Sequence, residues 1–167
     1  MTAEGPAALD RLELRRVAGY FATGVAVVTS ERDRAPCGLT VNSFTSLSLD
    51  PPLVLVCFDR GARSLPCVDV AGRFAVNVLA EGQEDLSRLF ASKEEQKFTT
   101  VRTRPGATGL PLLVGAHAYL ECTVTERHDG GDHVIFIGRV DAVSAGEGRP
   151  LLFYRGRYDG LRGEPPS

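Results

Sequence analysis

A mainly β fold, an antiparallel barrel carrying short helices, is predicted by three observations. Roughly six to eight short apolar or alternating runs are separated by turns rich in Gly, Pro and Asp. These runs do not alternate with helices in the manner of βαβ units, which argues against a doubly wound parallel sheet. The 167 residues, 43% of them apolar, suit one domain with a sizeable core, and no internal repeat or linker divides them.

In chain order, residues 9–22 read as a helix. Leu9, Leu12, Val17, Tyr20 and Phe21 form an apolar stripe at helical spacing, expected to face the core. Asp10 with Glu13 three residues on resembles a capping box, and Gly24 is placed to end the helix. Residues 25–30 form a β-branched strand, and residues 31–34 a charged turn. From Gly38 to Leu49 the chain alternates: Leu39, Val41, Ser43, Thr45, Leu47 and Leu49 face one way, and Thr40, Asn42, Phe44, Ser46 and Ser48 the other. Asp50-Pro51-Pro52 stops this ladder, because proline has no N–H to donate. Residues 53–58 then read as a buried strand, and the three strands are expected to lie side by side.

Residues 59–64 form a loop whose Ser64 is placed to cap a helix over 65–70. Its two arginines make it either an anion site beside the polar strand or an ordinary charged surface loop. Residues 74–79 are a strand. Residues 84–91 are a helix, with Glu84 and Asp85 in its first turn and Lys93 just after it, matching the helix dipole. Residues 93–109 lack periodicity and read as a loop, either covering a ligand or solvated. Residues 118–127 and 133–144 are strands around a turn at 128–132, for which Asp129-Gly130-Gly131 supplies positive-φ residues. Residues 151–154 and 157–161 end the ordered chain, and 163–167 read as a disordered tail.

Composition narrows the function classes. A net charge of −2 with 24% charged residues argues against a dedicated nucleic-acid binder. No apolar run approaches the length of a transmembrane helix. The first residues lack a basic and then apolar leader, so a cytoplasmic location is expected. Cys37, Cys57, Cys67 and Cys122 include no C-x-x-C pair and are expected to be free, mostly buried thiols. His117, His128 and His133 lack metal-ligand spacing on a helix, so no metal is expected. Gly156, Gly160 and Gly163 are wrongly spaced for a dinucleotide fingerprint, and no nucleophile-elbow, H-E-x-x-H or Walker sequence occurs.

The face bearing Thr40, Asn42, Phe44, Ser46 and Ser48 is nearly all small uncharged polar groups. It is either a half-exposed strand with hydroxyls in water, or a row of donors for a phosphate or polyhydroxyl chain. Here the chain resembles a known family. The run from Thr23 to Thr29, the run from Gly38 to Val54, Gly131-Asp132-His133, Ile137-Gly138-Arg139-Val140 and the run from Pro150 to Tyr158 are similar to the short-chain flavin reductases. These are the reductase components of two-component flavin-dependent monooxygenases. The likeness covers residues 17–161, so that the whole chain, 1–167, is expected to be one flavin reductase-like domain with short flexible tails.

The resemblance implies an FMN-binding split barrel, normally a homodimer with flavin near the subunit interface. It implies an NAD(P)H:flavin oxidoreductase that reduces FMN or FAD by hydride transfer and supplies reduced flavin to a separate monooxygenase. The alternatives are a split-barrel protein that holds flavin without turnover and an accessory subunit of an oxygenase. Hydride passes from nicotinamide to flavin, so the cofactors carry the chemistry and no catalytic side chain is required. On the flavin side the resemblance implies Thr40, Val41, Asn42 and Ser43 along the ring, with Ser46 and Ser48 nearby. It places Cys57, Asp59, Arg63 and Ser64 by the ribityl chain and phosphate, and Lys97 and Phe98 near the flavin. On the NAD(P)H side it implies His133, Tyr154, Arg155, Gly156 and Tyr158. The family most often has alanine at position 41, where Val41 is larger and adjusts the approach of the ring. A 2′-phosphate needs a basic partner, and Arg155 and Arg157 are available, so NADH is favoured over NADPH only weakly.

Overall fold

The computed structural model describes residues 9–163, and the readings of a leader-free start and of the 163–167 tail beyond Gly163 lie outside the described residues. The elements are α1 (Arg11–Ala18), β1 (Thr23–Gly24), β2 (Ala26–Arg32), β3 (Ala35–Val41), β4 (Thr45–Leu49), β5 (Pro52–Asp59), α2 (Leu65–Ala71) and β6 (Arg73–Val78). Then come α3 (Glu84–Ala91), a 3-10 turn (Lys97–Thr99), β7 (Thr103–Pro105), β8 (Pro111–Leu113), β9 (Ala118–Gly130), β10 (His133–Ala145), β11 (Leu151–Tyr154) and β12 (Arg157–Gly160).

Seven strands form an antiparallel sheet in the order β3-β2-β6-β9-β10-β5-β4. Its two outer strands, β3 and β4, are consecutive in sequence and separated only by residues 42–44. Four Cα steps span at most about 14 Å, so the sheet must curl until its edges nearly meet. This is the split barrel. Ser43 stitches the gap: its hydroxyl donates to Cys57 O and accepts from Cys57 N, both at 3.0 Å. A second sheet, β1-β11-β12, stands beside the barrel, and β7 pairs with β8.

The barrel interior is filled by alternate residues of its strands. Val28, Val56, Phe58, Phe74 and Phe136 are buried there, with Phe58 and Phe136 in edge contact at 5.2 Å. Gly138 of β10 is required by this packing, since a Cβ there would lie 2.7 Å from the Phe74 ring. A second cluster of Val25, Val27, Leu79, Phe90, Leu113 and Leu151 joins the barrel wall to α3 and β11. Asn77 of β6 is buried between them. Its amide donates to Val27 O and Thr29 Oγ1, both at 2.9 Å, and its carbonyl accepts from Leu113 N at 2.8 Å.

Several expectations are corrected. The alternation from Gly38 to Leu49 is two strands on opposite sheet edges, not one, because the chain crosses the barrel gap at residues 42–44. β2 therefore lies beside β3 but far from β5 in strand order. In β5 only Val54, Val56 and Phe58 are buried, since the strand presents one face to the interior. The helix at the start is shorter than expected. Asp10 caps it by accepting from Leu12 N at 3.0 Å, but Glu13 pairs with Arg16 instead of completing a capping box. It ends at Gly19, and Gly24 belongs to β1. Its apolar stripe does not face the core: Leu12 is 75% exposed and Phe21 79%.

Ser64 makes no capping bond to α2 and donates instead to Gly38 O at 2.8 Å. Residues 93–109 hold the 3-10 turn and β7, anchored by Phe98 against Phe90 at 5.2 Å. Between β9 and β10 only Gly131 has a positive φ, +70°, because the strands extend far enough to leave a two-residue turn. The expectation of four free thiols fails: Cys37 and Cys67 form a disulfide, while Cys57 and Cys122 are free. Two cysteines 30 positions apart carry no local signal of pairing; α2, packed on β2 and β6, comes close enough to β3 that their Cα atoms lie 6.6 Å apart.

Candidate functional site

A cleft of about 1600 Å³ opens where the barrel gap meets α1 and the last hairpin. Its walls come from four places. Thr40, Val41, Asn42 and Ser43 line it at the β3–β4 crossing, and Thr23 and Gly24 of β1 line it with the following Val25. Asp59, Asp132 and His133 line it from the adjacent ends of β5 and β10. Arg155, Gly156 and Tyr158 line it from the β11–β12 hairpin, opposite the arginines of α1.

Each wall is held by identifiable contacts. Residues 42–44 belong to no strand, so this stretch turns into the cleft mouth free of ladder pairing. Thr40 Oγ1 donates to Ser87 O at 2.7 Å, and the Ser87 hydroxyl lies 2.9 Å from Tyr158 Oη. Ser87, fully buried in α3, thus fastens the crossing and the last hairpin to one helix. His133 Nδ1 lies 2.8 Å from Asp132 Oδ1. That bond to His133, and the charge of the ring when protonated, hold the Asp132 carboxyl below its usual range. Arg155 and Gly156 occupy the turn with φ of +49° and +79°. Arg155 N donates to Gly19 O at 3.1 Å and its guanidinium covers Tyr20 at 4.5 Å, which fixes the end of α1.

Nine residues expected at the site line the cleft: Thr40, Val41, Asn42, Ser43, Asp59, His133, Arg155, Gly156 and Tyr158. The others do not line it. Ser46 is an exposed residue of the outer strand β4, and Ser48 is half-buried on that strand. Cys57 is half-buried on β5, and burial pushes its thiol up, so it stays protonated at neutral pH. Arg63 reaches Lys93 O and Glu95, and Ser64 is held by Gly38. Lys97 donates to Phe90 O, and Phe98 packs on Phe90. Tyr154 borders a smaller hollow of about 630 Å³ with Arg155, Arg157, Tyr158 and Asp159. Arg60, the other arginine of the 59–64 loop, is tied to Gly131 O and Asp129.

Many lining residues escaped the sequence reading, Thr23, Gly24, Ser87 and Asp132 among them. Thr23 and Gly24 were absorbed into a helix end, although both sit in the quoted Thr23–Thr29 run, and Ser87 is an inconspicuous helix serine. Thr23 Oγ1 is buried with no hydrogen-bond partner among the described residues. At Gly24 a Cβ would meet no atom within 4 Å. An apolar wall at Val25 and Val41, open space at Gly24, hydroxyls and irregular backbone at the crossing, and Arg11 and Arg15 on the rim suit a flat heteroaromatic ring bearing a phosphorylated polyol.

Comparison with known proteins decides the family. The model of the flavin reductase like domain matches residues 18–162. The chain belongs to the flavin reductase-like family. The reductase subunit HsaB of a flavin-dependent monooxygenase from Mycobacterium tuberculosis is 46% identical over 161 residues, covering 95% of this chain and 86% of HsaB. The NADH-dependent FMN reductase AsuE2 of Streptomyces nodosus subsp. asukaensis is 44% identical over 158 residues, covering 91% and 85%. The NADH:FAD oxidoreductase SgcE6 of Streptomyces globisporus C-1027, solved with NAD and FAD fragments, superposes with a TM-score of 0.86 at 43% identity, covering 95% of this chain and 98% of that one. In this flavin reductase-like chain no described helix is long and apolar enough to cross a membrane.

Proposed function

We propose that this chain is an NAD(P)H:flavin oxidoreductase that reduces FMN or FAD and hands the reduced flavin to a separate monooxygenase. The observation that carries the reading is the cleft itself, in which the β3–β4 crossing and the His133 and Arg155 wall enclose one space. Flavin bound there supplies the hydride acceptor, and the protein's task is to hold two ring systems in register. In this reading Val41 and Gly24 set how near the ring lies, and the backbone and hydroxyls of residues 40–43 and Thr23 hold its polar edge. His133 donates to or accepts from the nicotinamide carboxamide or a phosphate. Asp132 orients that imidazole, and Arg155 and Tyr158 bound the nucleotide. NADH is the proposed donor, supported by the two relatives named for it.

The test is NADH oxidation by purified protein with FMN, FAD or no added flavin. The expected result is turnover that requires added flavin and saturates with it, and the ratio of the two KM values ranks the flavins. Absence of turnover with NADH and NADPH alike would leave a flavin-binding protein. A site-specific expectation follows: His133→Ala raises KM for NADH about tenfold with little change in KM for flavin. Equal loss of both would make His133 a structural residue.

The homodimer is also a proposal, supported by the exposed apolar residues of α1 and the turn after it beside the cleft, where Leu12, Leu14, Val17 and Phe21 are each more than half exposed. A second copy would bury that face. Light scattering is expected to give about twice 17.9 kDa, and Leu12→Glu with Phe21→Glu to give the monomer. A wild-type monomer would overturn the pairing.

A further inference from the structure

We propose that the Cys37–Cys67 disulfide is a reversible oxidative modification site that sets flavin affinity; its effect on affinity rests on the function proposed above. The bond lies between β3 and the first turn of α2, 30 residues apart in sequence. The covalent loop it closes contains the whole cleft wall at residues 40–43 and also Asp59. β3 is an edge strand, paired on one side by β2 alone. Beyond that pairing, Leu39 and Val41 pack on the core, α3 lies against the strand, Ser64 bonds Gly38 O, Thr40 bonds Ser87 O, and the disulfide is the one covalent tie. The bond therefore fixes an edge strand, and the cleft wall that continues from it, to α2. Reduction leaves that wall on hydrogen bonds and packing alone.

The activity supplies the oxidant. When dioxygen reoxidises released dihydroflavin, hydrogen peroxide forms. Cys37 is the more accessible partner, since Cys67 is only 8% exposed. The Cys37 thiol loses its proton and its sulfur attacks one peroxide oxygen. The O–O bond breaks, hydroxide takes up that proton as water, and Cys37 is left as a sulfenic acid. The Cys67 sulfur then attacks the Cys37 sulfur, the S–S bond forms, and the sulfenic oxygen leaves with the Cys67 proton as a second water. Two thiols are oxidised and one peroxide is reduced to two waters. A small-molecule dithiol reverses the step by exchange. Cys57 and Cys122 take no part: burial raises both thiols, Cys122 to about 12.

The experiment compares wild-type protein after dithiol reduction with the same protein after one equivalent of hydrogen peroxide, each desalted. Alkylation under denaturing conditions is expected to label all four cysteines in the first sample and two in the second. The KM for FMN is expected to be about fivefold lower in the oxidised protein. Cys37→Ala with Cys67→Ala is expected to hold the reduced-protein KM under both treatments, and Cys57→Ser to keep the response. Titration of FMN fluorescence reads the same affinity difference without turnover, so loss of the reductase reading leaves this test standing. Four labels after peroxide overturns the modification. Two labels with FMN affinity unchanged between the two wild-type samples overturns its effect, whether or not the double variant folds.

Discussion

Gly24→Phe is expected to abolish flavin turnover while leaving the fold intact. Gly24 lines the cleft from β1, where it pairs with Leu152, and a Cβ there has no neighbour within 4 Å. Its backbone is not in the positive-φ region, so a side chain introduces no strain. A phenyl group therefore occupies open space that the proposed function assigns to the flavin. The expected loss in kcat/KM for flavin is about 100-fold, with Gly24→Ala intermediate. The melting temperature is expected to stay within about 2 °C of wild type, since surface substitutions usually change stability by less than about 0.5 kcal/mol. Wild-type kinetics in Gly24→Phe would place the flavin elsewhere.

Asn77→Leu is expected to show the largest loss of stability. The substitution is close in volume but removes a donor shared by Val27 O and Thr29 Oγ1, and the acceptor for Leu113 N. All of these lie in a buried junction of β2, β6 and β8, where water cannot replace the amide. Orphaned groups of this kind cost about 1–3 kcal/mol each. Thr29 Oγ1 keeps its bond to Pro111 O at 2.6 Å and Val27 O keeps the backbone pairing of β2 with β6, so Leu113 N is the group fully stranded and the expected total is about 2–4 kcal/mol. That corresponds to a fall of about 10 °C in melting temperature. A fall under about 3 °C would mean that the junction relaxes around leucine and that the network does not hold β8 to the barrel.

Much of this protein was legible in order along the chain. The strands at 53–58, 74–79, 118–127 and 133–144 were legible; in residues 53–58 one face is buried with a period of two, whereas residues 74–77 are buried on both faces. The helix at Glu84–Ala91 was legible from its acidic first turn and the lysine just after it. Thr40 and Asn42 were legible as part of an unusual polar face, and the family likeness added Val41, Ser43, His133 and the last hairpin, which line the same cleft.

What the chain could not announce is set by partners distant in sequence. The period-two pattern continues through residues 38–49 without a break, yet the strand divides at 42–44, because sheet closure is a property of all seven strands. The α1 stripe has the spacing of a core helix. Spacing records that a face is apolar and not what covers it, and α1 reaches the hairpin only through its end, at Gly19 and Tyr20. Cys37 meets Cys67 because α2 packs on β2 and β6 and Ser64 bonds Gly38 O of the neighbouring strand β3. Arg63 and Lys97 have the charge for a phosphate, but tertiary packing directs them to Glu95 and to Phe90 O. The sequence by itself determined most of the long strands and the chemistry-bearing segments, since those depend on local period and composition. The tertiary structure decided which segments share a cleft, which cysteines pair and which face stays bare, since each depends on contacts across the fold that no local pattern encodes.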